Sequence, residues 1–497
     1  MCGAMDHDQI YLGFPGERPP YYAYEAVQIF NDCGAFPVFV PNCPLPESPG
    51  ESGLWLMCGG VRAEVPQFGA ASETMEHKLR KREIYKMMSR FTGYRSPWGC
   101  MTGVRPAKIV NGLLHAGKTP EEAVRELEDF YFVTPEKARL AADTARNQEP
   151  FLRMQQTHPE QIAIYVGIPF CPTRCLYCSF PSHPIGKYLK SVDRYLTLLE
   201  RELRAVIPSV LQCGLRIESL YIGGGTPTSL QEEQFQRFLE FLTAVIDPAG
   251  LREFSLEAGR PDSITEGKLR AAKYAGVTRV SINPQTMNDD TLALIGRRHT
   301  ADEIDRAFWL ARQTGFSNIN MDLIAGLPGE EPGDFTNTLE RIRMLRPDAL
   351  TVHTLSVKRA AELKRDARAA LLRHDGTGAM LSLSRHTAQE MGMIPFYMYR
   401  QKNMLGNHEN VSYCRPGCES PYNIHIMEED QTVFAFGAGG VSKLSMLLPG
   451  GERKIERSFN VKSAEDYLAR ADEMAARKLR LLSVYKEKTR ETRQSYF

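Results

Sequence analysis

Three cysteines carry the densest chemical signal in this chain. Cys171, Cys175 and Cys178 are spaced Cys-x-x-x-Cys-x-x-Cys within Tyr165-Val-Gly-Ile-Pro-Phe-Cys-Pro-Thr-Arg-Cys-Leu-Tyr-Cys-Ser-Phe180. Iron–sulfur clusters are built on cysteine thiolates, and three thiolates can hold three irons of a [4Fe–4S] cluster. The fourth iron then has no protein ligand and is open to a small molecule. Zinc is the competing metal, but a structural zinc site is closed by four ligands, often from paired clusters. No second cluster of matching spacing follows nearby. The plain alternative is three buried thiols that fall close together, set against the rule that reactivity usually decides whether a cysteine is kept.

The spacing resembles the signature of radical S-adenosylmethionine (SAM) enzymes, in which the open iron chelates the amino and carboxylate groups of SAM. The whole chain is compatible with that chemistry. Its 497 residues suggest about two to four domains. An apolar fraction of 42% and a charged fraction of 24% are ordinary for a globular protein. A net charge of +1 gives no global reason to invoke nucleic acid or a membrane surface. Eleven cysteines scattered over a long chain are unlike a disulfide scaffold, and a cluster site needs free thiols in a reducing compartment. The first twenty residues hold no apolar signal-peptide core. No run approaches the ~18–20 apolar residues of a membrane span. A cytoplasmic protein with no membrane span and no nucleic-acid partner is expected.

The cysteines must be held at one end of a scaffold, and the surrounding pattern supplies it. From Gln161 to about Leu355, short β-rich runs alternate with helical periodicity. Candidate strands are Ile162–Gly167, Ser219–Ile222, Glu253–Glu257, Thr278–Asn283, Ser317–Leu323 and Ala349–Leu355. Between them, Ser191–Ile207 and Ser229–Ile246 place apolar residues at gaps of three and four, the mark of amphipathic helices. Such alternation predicts a parallel sheet with crossover helices, six units of a partial (β/α) barrel. Chemistry in barrels sits on the loops at the C-terminal strand ends. The cysteine loop follows the first strand and Gly223-Gly224-Gly225-Thr226-Pro227-Thr228 the second. Glu257 closes the third, Gln285 follows the fourth, Asp322 nears the end of the fifth and His353 that of the sixth. Six features therefore face one mouth.

Each has a physical use and a plainer alternative. Three glycines let a backbone approach a ligand closely, here the methionine part of SAM; an ordinary strand-to-helix turn also favours glycine. Glu257 can accept hydrogen bonds from ribose hydroxyls, as acidic strand-end residues do in other nucleotide sites; a solvated or ion-paired carboxylate is the rival reading. Arg297 can grip a carboxylate bidentately, and Arg298 beside it is an equal alternative. His353 reads equally as a proton donor or a hydrogen-bonded core histidine.

Outside this core, residues 1–156 form a separate region with Pro/Gly-rich segments and a basic helix over Ser72–Thr92. Its Lys78, Arg80, Lys81, Arg82, Lys86 and Arg90 read as a solvated face, with a docking patch as the lesser alternative. Ser96-Pro-Trp-Gly-Cys-Met-Thr-Gly-Val-Arg-Pro106 looks like a specified loop without assignable chemistry. After the core, Ala360–Met391 is helical, and Phe396-Tyr-Met-Tyr-Arg-Gln-Lys-Asn403 mixes aromatics with cations. Rings there can stack on a planar anion while Arg400 and Lys402 meet its carboxylates, unless the stretch is simply a strand with alternating faces. Phe434-Ala-Phe-Gly-Ala-Gly-Gly-Val-Ser442 is a second close-approach signal. Cys414 and Cys418 offer two thiols only, and the C-terminus reads as a charged helix.

Taken together the chain resembles the oxygen-independent coproporphyrinogen III dehydrogenases of the radical SAM group, in their HemZ-like branch. The resemblance runs through Trp98–Pro106, Ile168–Cys171, Gly223–Thr228, Ser281–Gln285, Asp322-Leu-Ile-Ala-Gly-Leu-Pro328, Tyr399–Asn403 and Gly437–Gly439. It implies an α/β fold: a partial (β/α)6 radical SAM barrel (157–358), an N-terminal α/β accessory module (1–156) and a C-terminal, mostly helical, α+β domain covering the substrate (359–497). It implies a [4Fe–4S] cluster on Cys171, Cys175 and Cys178, with Tyr165 packed beside it. It implies SAM held by Gly224, Gly225, Thr226, Glu257, Gln285, Arg297 and Asp322. The expected reaction is oxidative decarboxylation of two propionates of coproporphyrinogen III to vinyl groups in haem synthesis. Its electron would come from a low-potential donor such as flavodoxin or ferredoxin. Two positions depart from the dehydrogenase pattern. Gly167 stands where those enzymes have histidine, and Phe180, as in the related haem chaperones, stands where they have cysteine. A haem-binding chaperone on this scaffold and a haem methyltransferase that opens the ring are the alternative functions.

Overall fold

The computed structural model describes residues 9–43, 51–103, 105–358, 361–366, 368, 371–372, 376–401, 404–447 and 453–494. They form two compact units: Met1–Asp143 with Arg400–Glu409, and Thr144–Tyr399 with Asn410–Phe497.

In the first unit β1 (Tyr11–Gly13), α1 (Tyr21–Gln28), β2 (Val38–Val40), β3 (Glu51–Cys58) and β4 (Val61–Pro66) precede α2 (Glu73–Thr92), α3 (Pro106–His115) and α4 (Pro120–Asp129). The sheet order is β2-β1-β3-β4. Gly59 (φ 58°) and Gly60 (φ 76°) make the β3–β4 turn, since a two-residue hairpin that follows the strand twist needs positive φ at both positions. Ser72 caps α2 by accepting from the Met75 amide, and Leu12, Val27, Phe30, Leu56, Ile84 and Met88 are sealed in the core. Much of the α2 cationic run is paired: Arg80 with Glu76, Lys81 with Glu25 and Lys86 with Glu83. Trp98 itself is fully buried. Trp98 Nε1 donates to Glu409 (2.7 Å), whose other oxygen accepts from Lys137 (2.7 Å), at the start of α5 (Pro135–Thr157).

The second unit is organised by β5 (Gln161–Ile168), β6 (Phe170–Cys171), β7 (His183–Pro184), α6 (Val192–Gln212), β8 (Arg216–Gly224), α7 (Glu232–Val245), β9 (Glu253–Gly259) and α8 (Glu266–Tyr274). It continues through β10 (Arg279–Ile282), α9 (Asp289–Leu294), α10 (Ala301–Gln313), β11 (Ile319–Ala325), α11 (Pro332–Leu345), β12 (Ala349–Thr354) and α12 (Thr377–Glu390). The last elements are β13 (Ile394–Tyr399), β14 (Asn410–Cys414), α13 (Pro421–Glu428), β15 (Thr432–Phe436), β16 (Val441–Leu447), β17 (Arg453–Phe459) and α14 (Ala464–Gln494). Eleven strands pair in the order β13-β14-β12-β11-β10-β9-β8-β5-β15-β16-β17. The six strands expected from the sequence are its parallel centre, in chain order. The fold is mixed α/β. Its pairing has two ends, β13 and β17, so no closed barrel is formed among the described residues. Five strands after residue 359 extend this same sheet, a contribution that the helical reading of that stretch did not anticipate.

Strand alternation explains how the sheet carries a site. Successive side chains point to opposite faces, and adjacent parallel strands joined by right-handed crossovers put their helices on one face. Ile162, Ile164, Val166, Leu220, Ile222, Phe254, Leu256, Val280, Ile282 and Val352 are buried on one face. The other face carries Tyr165, Tyr221, Ser255, Glu257, Arg279, Ser281, Asn320, Asp322 and Thr351, aligned by the strand register.

Candidate functional site

The cysteine loop leaves β5 at Ile168 and returns as a two-residue ladder, Phe170 opposite His183 and Cys171 opposite Pro184. The glycine turn after β8 fastens onto it through backbone. Gly225 N donates to Ile168 O (2.8 Å) and Thr226 N to Phe170 O (2.7 Å). A Cβ on Gly225 would lie 2.5 Å from Phe170 O, and Gly224 holds φ +109°. Two of the three glycines are thus demanded by the cysteine segment itself. Gly223 is pressed from another side: its Cβ would stand 2.9 Å from Glu257 Oε2. Thr226 Oγ1 reaches Cys171 Sγ at 3.5 Å. Further along, Thr173 accepts from Arg260 (2.6 Å) and donates to Gly296 O (3.1 Å), while Leu176 N donates to Ile295 O (3.0 Å). Arg260 is itself locked by both Asp262 oxygens (2.9 and 2.6 Å).

Cys175 is buried and Cys171 and Cys178 are half-buried; all three are free thiols. Burial pushes Cys171 up to about 11; Thr226 opposes this, and its neighbours Cys178 and Cys175 add to it. Burial also raises Cys178, against the pull of the Phe180 amide. Cys171 and Cys178, whose ionisation is disfavoured by burial and by the neighbouring thiols, are donors that positive iron would deprotonate and hold. Among the described residues no three His, Cys, Asp or Glu side chains are placed to hold one metal ion. In a cluster each thiolate would meet a different iron.

The polar face ends beside this loop. Tyr165 stacks on Tyr221 (6.2 Å between ring centres) and Tyr221 on Tyr422 (4.4 Å). Tyr221 donates to Glu257 (2.7 Å). Burial lifts Glu257 to about 7; Tyr221 opposes the shift, the Asp322 charge adds to it and Arg279 opposes it. Gln285 follows β10 at φ +70°. Its amide donates to Asp322 O (2.8 Å) and its carbonyl accepts from Ile324 N (2.9 Å), which fixes the side chain's position. Asp322 accepts from Asn320 (2.7 Å) and faces His353 at 3.7 Å. Burial would raise Asp322, but His353 and Asn320 hold it below its usual value. His353 also approaches the Tyr399 hydroxyl at 3.5 Å. Arg297 donates to Asn283 O and to the Tyr177 hydroxyl (3.2 Å). Burial would lower its pKa, yet Tyr177 and Cys175 hold it above the ordinary value.

Asn283 Oδ1, Gln285 Oε1 and Arg297 Nε are buried without a hydrogen-bond partner among the described residues. Buried polar atoms are normally satisfied, so these three fit a polar ligand such as SAM, and the thiol triad fits a [4Fe–4S] cluster. Tyr165, Cys171, Cys175, Cys178, Gly224, Gly225, Thr226, Glu257, Gln285, Arg297 and Asp322 all lie in this unit, at or beside the C-terminal strand ends. Arg400 does not. It is buried in the first unit, its guanidinium on Met101 O and Asn407 Oδ1 (2.6 Å) and 5.5 Å above the Trp98 ring. Lys402 lies outside the described residues. Sequence reasoning missed Arg260, Asp262 and Thr173, which clamp the cysteine loop, and Tyr221 and Tyr422, which extend the aromatic stack. Only Tyr221 had a sequence signal, as the residue two before the glycines on a predicted strand.

A family model of the Radical SAM superfamily matches residues 165–342. The chain is 38% identical over 405 residues to the oxygen-independent coproporphyrinogen-III oxidase-like protein HemZ of Bacillus subtilis (strain 168), covering 81% of this chain and 80% of that protein. It is 33% identical over 280 residues to the heme chaperone HemW of the same organism, covering 55% of this chain and 69% of that protein. Among solved structures, the radical SAM coproporphyrinogen III oxidase HemN of Escherichia coli superposes with a TM-score of 0.50 at 24% identity, over 66% of this chain and 73% of that one. The chain belongs to the radical SAM superfamily and, within it, to the HemZ-like proteins of the HemN and HemW branch. Among the described residues no helix is long and apolar enough to cross a membrane.

Proposed function

We propose that the protein is a radical SAM enzyme that oxidatively decarboxylates two propionates of coproporphyrinogen III to vinyl groups, giving protoporphyrinogen IX. The observation that carries this reading is the single edge on which the thiol triad, the glycine turn and three unsatisfied buried polar atoms meet, in a chain matched over 81% of its length by HemZ. Cys171, Cys175 and Cys178 would hold the cluster. Gly224, Gly225, Thr226, Glu257, Gln285, Arg297 and Asp322 would orient SAM, with Tyr165 packed against them. Together the two cofactors supply hydrogen-atom abstraction from an unactivated carbon, chemistry that belongs to the cofactor rather than the protein. The chain's own part is to bind, to orient and to exclude water. Six parallel strands with crossover helices support a partial-barrel reading of the core. In the three-part division (1–156, 157–358, 359–497), the last region would cover the substrate and the first would be accessory. Arg400 keeps a substrate role only if it exchanges its present partners, Met101 and Asn407, for a propionate.

The second reading is a haem-binding chaperone, favoured by two positions. Phe180 carries an exposed phenyl ring where the dehydrogenases have cysteine. At Gly167 a Cβ would stand 3.3 Å from both Ala438 O and Phe436 O, so a histidine there would force the β15 loop to shift. A third, ring-opening reading has no observation in its favour. The deciding experiment is anaerobic: cluster-reconstituted protein, SAM, a strong reductant and coproporphyrinogen III, followed by mass spectrometry. Two successive losses of CO₂ plus two hydrogens, with 5′-deoxyadenosine formed, establish the enzyme. Unchanged porphyrinogen with tight stoichiometric haem binding establishes the chaperone.

A further inference from the structure

The cluster loop surfaces at one place, and that place has the composition of a protein-docking patch. Phe180 follows the third cysteine by two residues. Two residues further on, Ser182 Oγ lies 3.9 Å from Cys178 Sγ, while the Phe180 side chain is 66% exposed. The strand that starts three residues later pairs Pro184 with Cys171, so the segment after Phe180 folds back along the cysteine loop. That segment exposes Lys187, Lys190 and Leu189, the last at 57%. Arg174 lies in the loop itself. Of the acids nearby, Glu362 lies beside Arg174 (3.9 Å) and Asp193 is paired with Arg237 (3.1 Å), and Glu465, held by the Tyr188 hydroxyl, sets one negative charge against Lys187 and Lys190. Among the described residues Lys187 and Lys190 enter no ion pair. Exposed apolar side chains rimmed by like charge mark an interaction site, and a cationic rim both steers and selects an anionic partner.

We propose that the Phe180–Lys190 surface docks a small acidic protein that carries a one-electron donor. The inference rests on the radical SAM reading, in which the cluster must be reduced from outside. One electron passes inward per SAM cleaved, and the carrier is oxidised by one electron. The path is short: the exposed ring stands two residues along the chain from a proposed cluster ligand, Cys178. The area is local, so a transient complex of the weak electron-transfer kind is expected.

The test compares two reductants on the reconstituted full-length protein, with reduced flavodoxin as the probe carrier and dithionite as the small-molecule control. Calorimetric binding of flavodoxin is the readout independent of turnover. In the double variant Lys187→Glu/Lys190→Glu, flavodoxin-driven 5′-deoxyadenosine formation and flavodoxin affinity should both fall at least ~10-fold. The dithionite-driven rate should stay within about twofold, and wild-type affinity should weaken with added salt. Phe180→Ser should lower flavodoxin-driven turnover in the same direction. Unchanged flavodoxin affinity in the double variant overturns the proposal, as does equal loss with both reductants. A wild-type dimer that dissociates in the double variant assigns the surface to a second copy and overturns it as well. If the wild type cleaves no SAM even with dithionite, the radical SAM reading fails, and the binding measurement still decides the surface.

Discussion

The two sides of the candidate site are built by opposite means. On the β5–β8 side the glycine turn meets the cysteine loop backbone to backbone. The glycine turn lies on the cysteine loop with no room for a Cβ at Gly225, and Arg260, Thr173 and Gly296 pin the rest. On the β10–β12 side the backbone is equally fixed, but polar side-chain atoms of Asn283, Gln285 and Arg297 are left without partners. One side is completed by the protein's own contacts, and the other carries polar atoms that we propose a ligand completes. A fold-determined cradle for a cluster that must not shift, beside a polar wall completed by a small molecule, is what preorganisation requires.

That contrast breaks most completely at the cysteines. Cys175→Ala removes one of the three proposed cluster ligands, and the sequence offers no spare thiol at the right spacing. Iron and sulfide per chain after anaerobic reconstitution should fall below a full cluster, and SAM cleavage should vanish; a full cluster with normal cleavage would sink the assignment. Gly225→Ala is next. Its Cβ meets a backbone oxygen at 2.5 Å, and a backbone cannot swing aside as a side chain can. Overpacking of this sort typically costs ~1–3 kcal/mol, and the loop that shifts to relieve it is the one bearing Cys171. Lower thermal stability together with lower cluster occupancy is expected, where an ordinary surface turn would show neither.

The opposite side should respond differently. Gln285→Ala keeps the same backbone strain at φ +70° and removes an acceptor that has no partner. Deleting a buried group that makes no hydrogen bond costs the fold little, whereas deleting one that bonds a ligand costs that bond, about 1 kcal/mol. SAM affinity, measured by calorimetry on cluster-loaded protein, should weaken by roughly 5-fold or more with an unchanged melting temperature. Lost stability with intact SAM affinity would make Gln285 a structural residue and erase the contrast.

The parallel centre of the sheet was legible because its signals are local: β-rich runs, helical periodicity between them and chemistry-bearing residues at their ends. The six strands appear where expected, though β11 begins two residues later than the Ser317 start. The five later strands were not legible as parts of this sheet, since strand pairing between Val433 and Ala163 spans hundreds of residues and leaves no local mark. The glycine run was recognised as a close approach, but what approaches Gly225 is Phe170 of the cysteine loop. Arg400 shows the limit more sharply. Beside Tyr397 and Tyr399 in sequence it reads as an anion ligand, yet one residue after β13 the chain enters the other unit, where Trp98, Met101 and Asn407 bury it. Adjacent residues can serve different units, and no composition window reveals that.

The smallest expected effect sits where the two sides meet. Glu257 is lifted from 4.5 to about 7 by burial and by the Asp322 charge, so near neutrality the folded protein holds a proton there that an unfolded chain releases. A raised carboxyl pKa contributes stability that is full below the unfolded value and is lost as pH rises from about 4.5 through about 7. Ligand binding runs the other way. The carboxylate is the better acceptor for two ribose hydroxyls, because a charged acceptor strengthens each bond. SAM affinity should therefore rise a few-fold between about pH 6 and about pH 8, either side of the raised pKa, while stability without SAM declines over the same range. Glu257→Gln cannot ionise and should flatten both profiles, leaving SAM binding weaker and pH-independent. If the variant kept the wild-type slope, the titrating group would be another, and Glu257 would belong with Tyr221 to the side completed by the protein's own contacts rather than to the side that we propose a ligand completes.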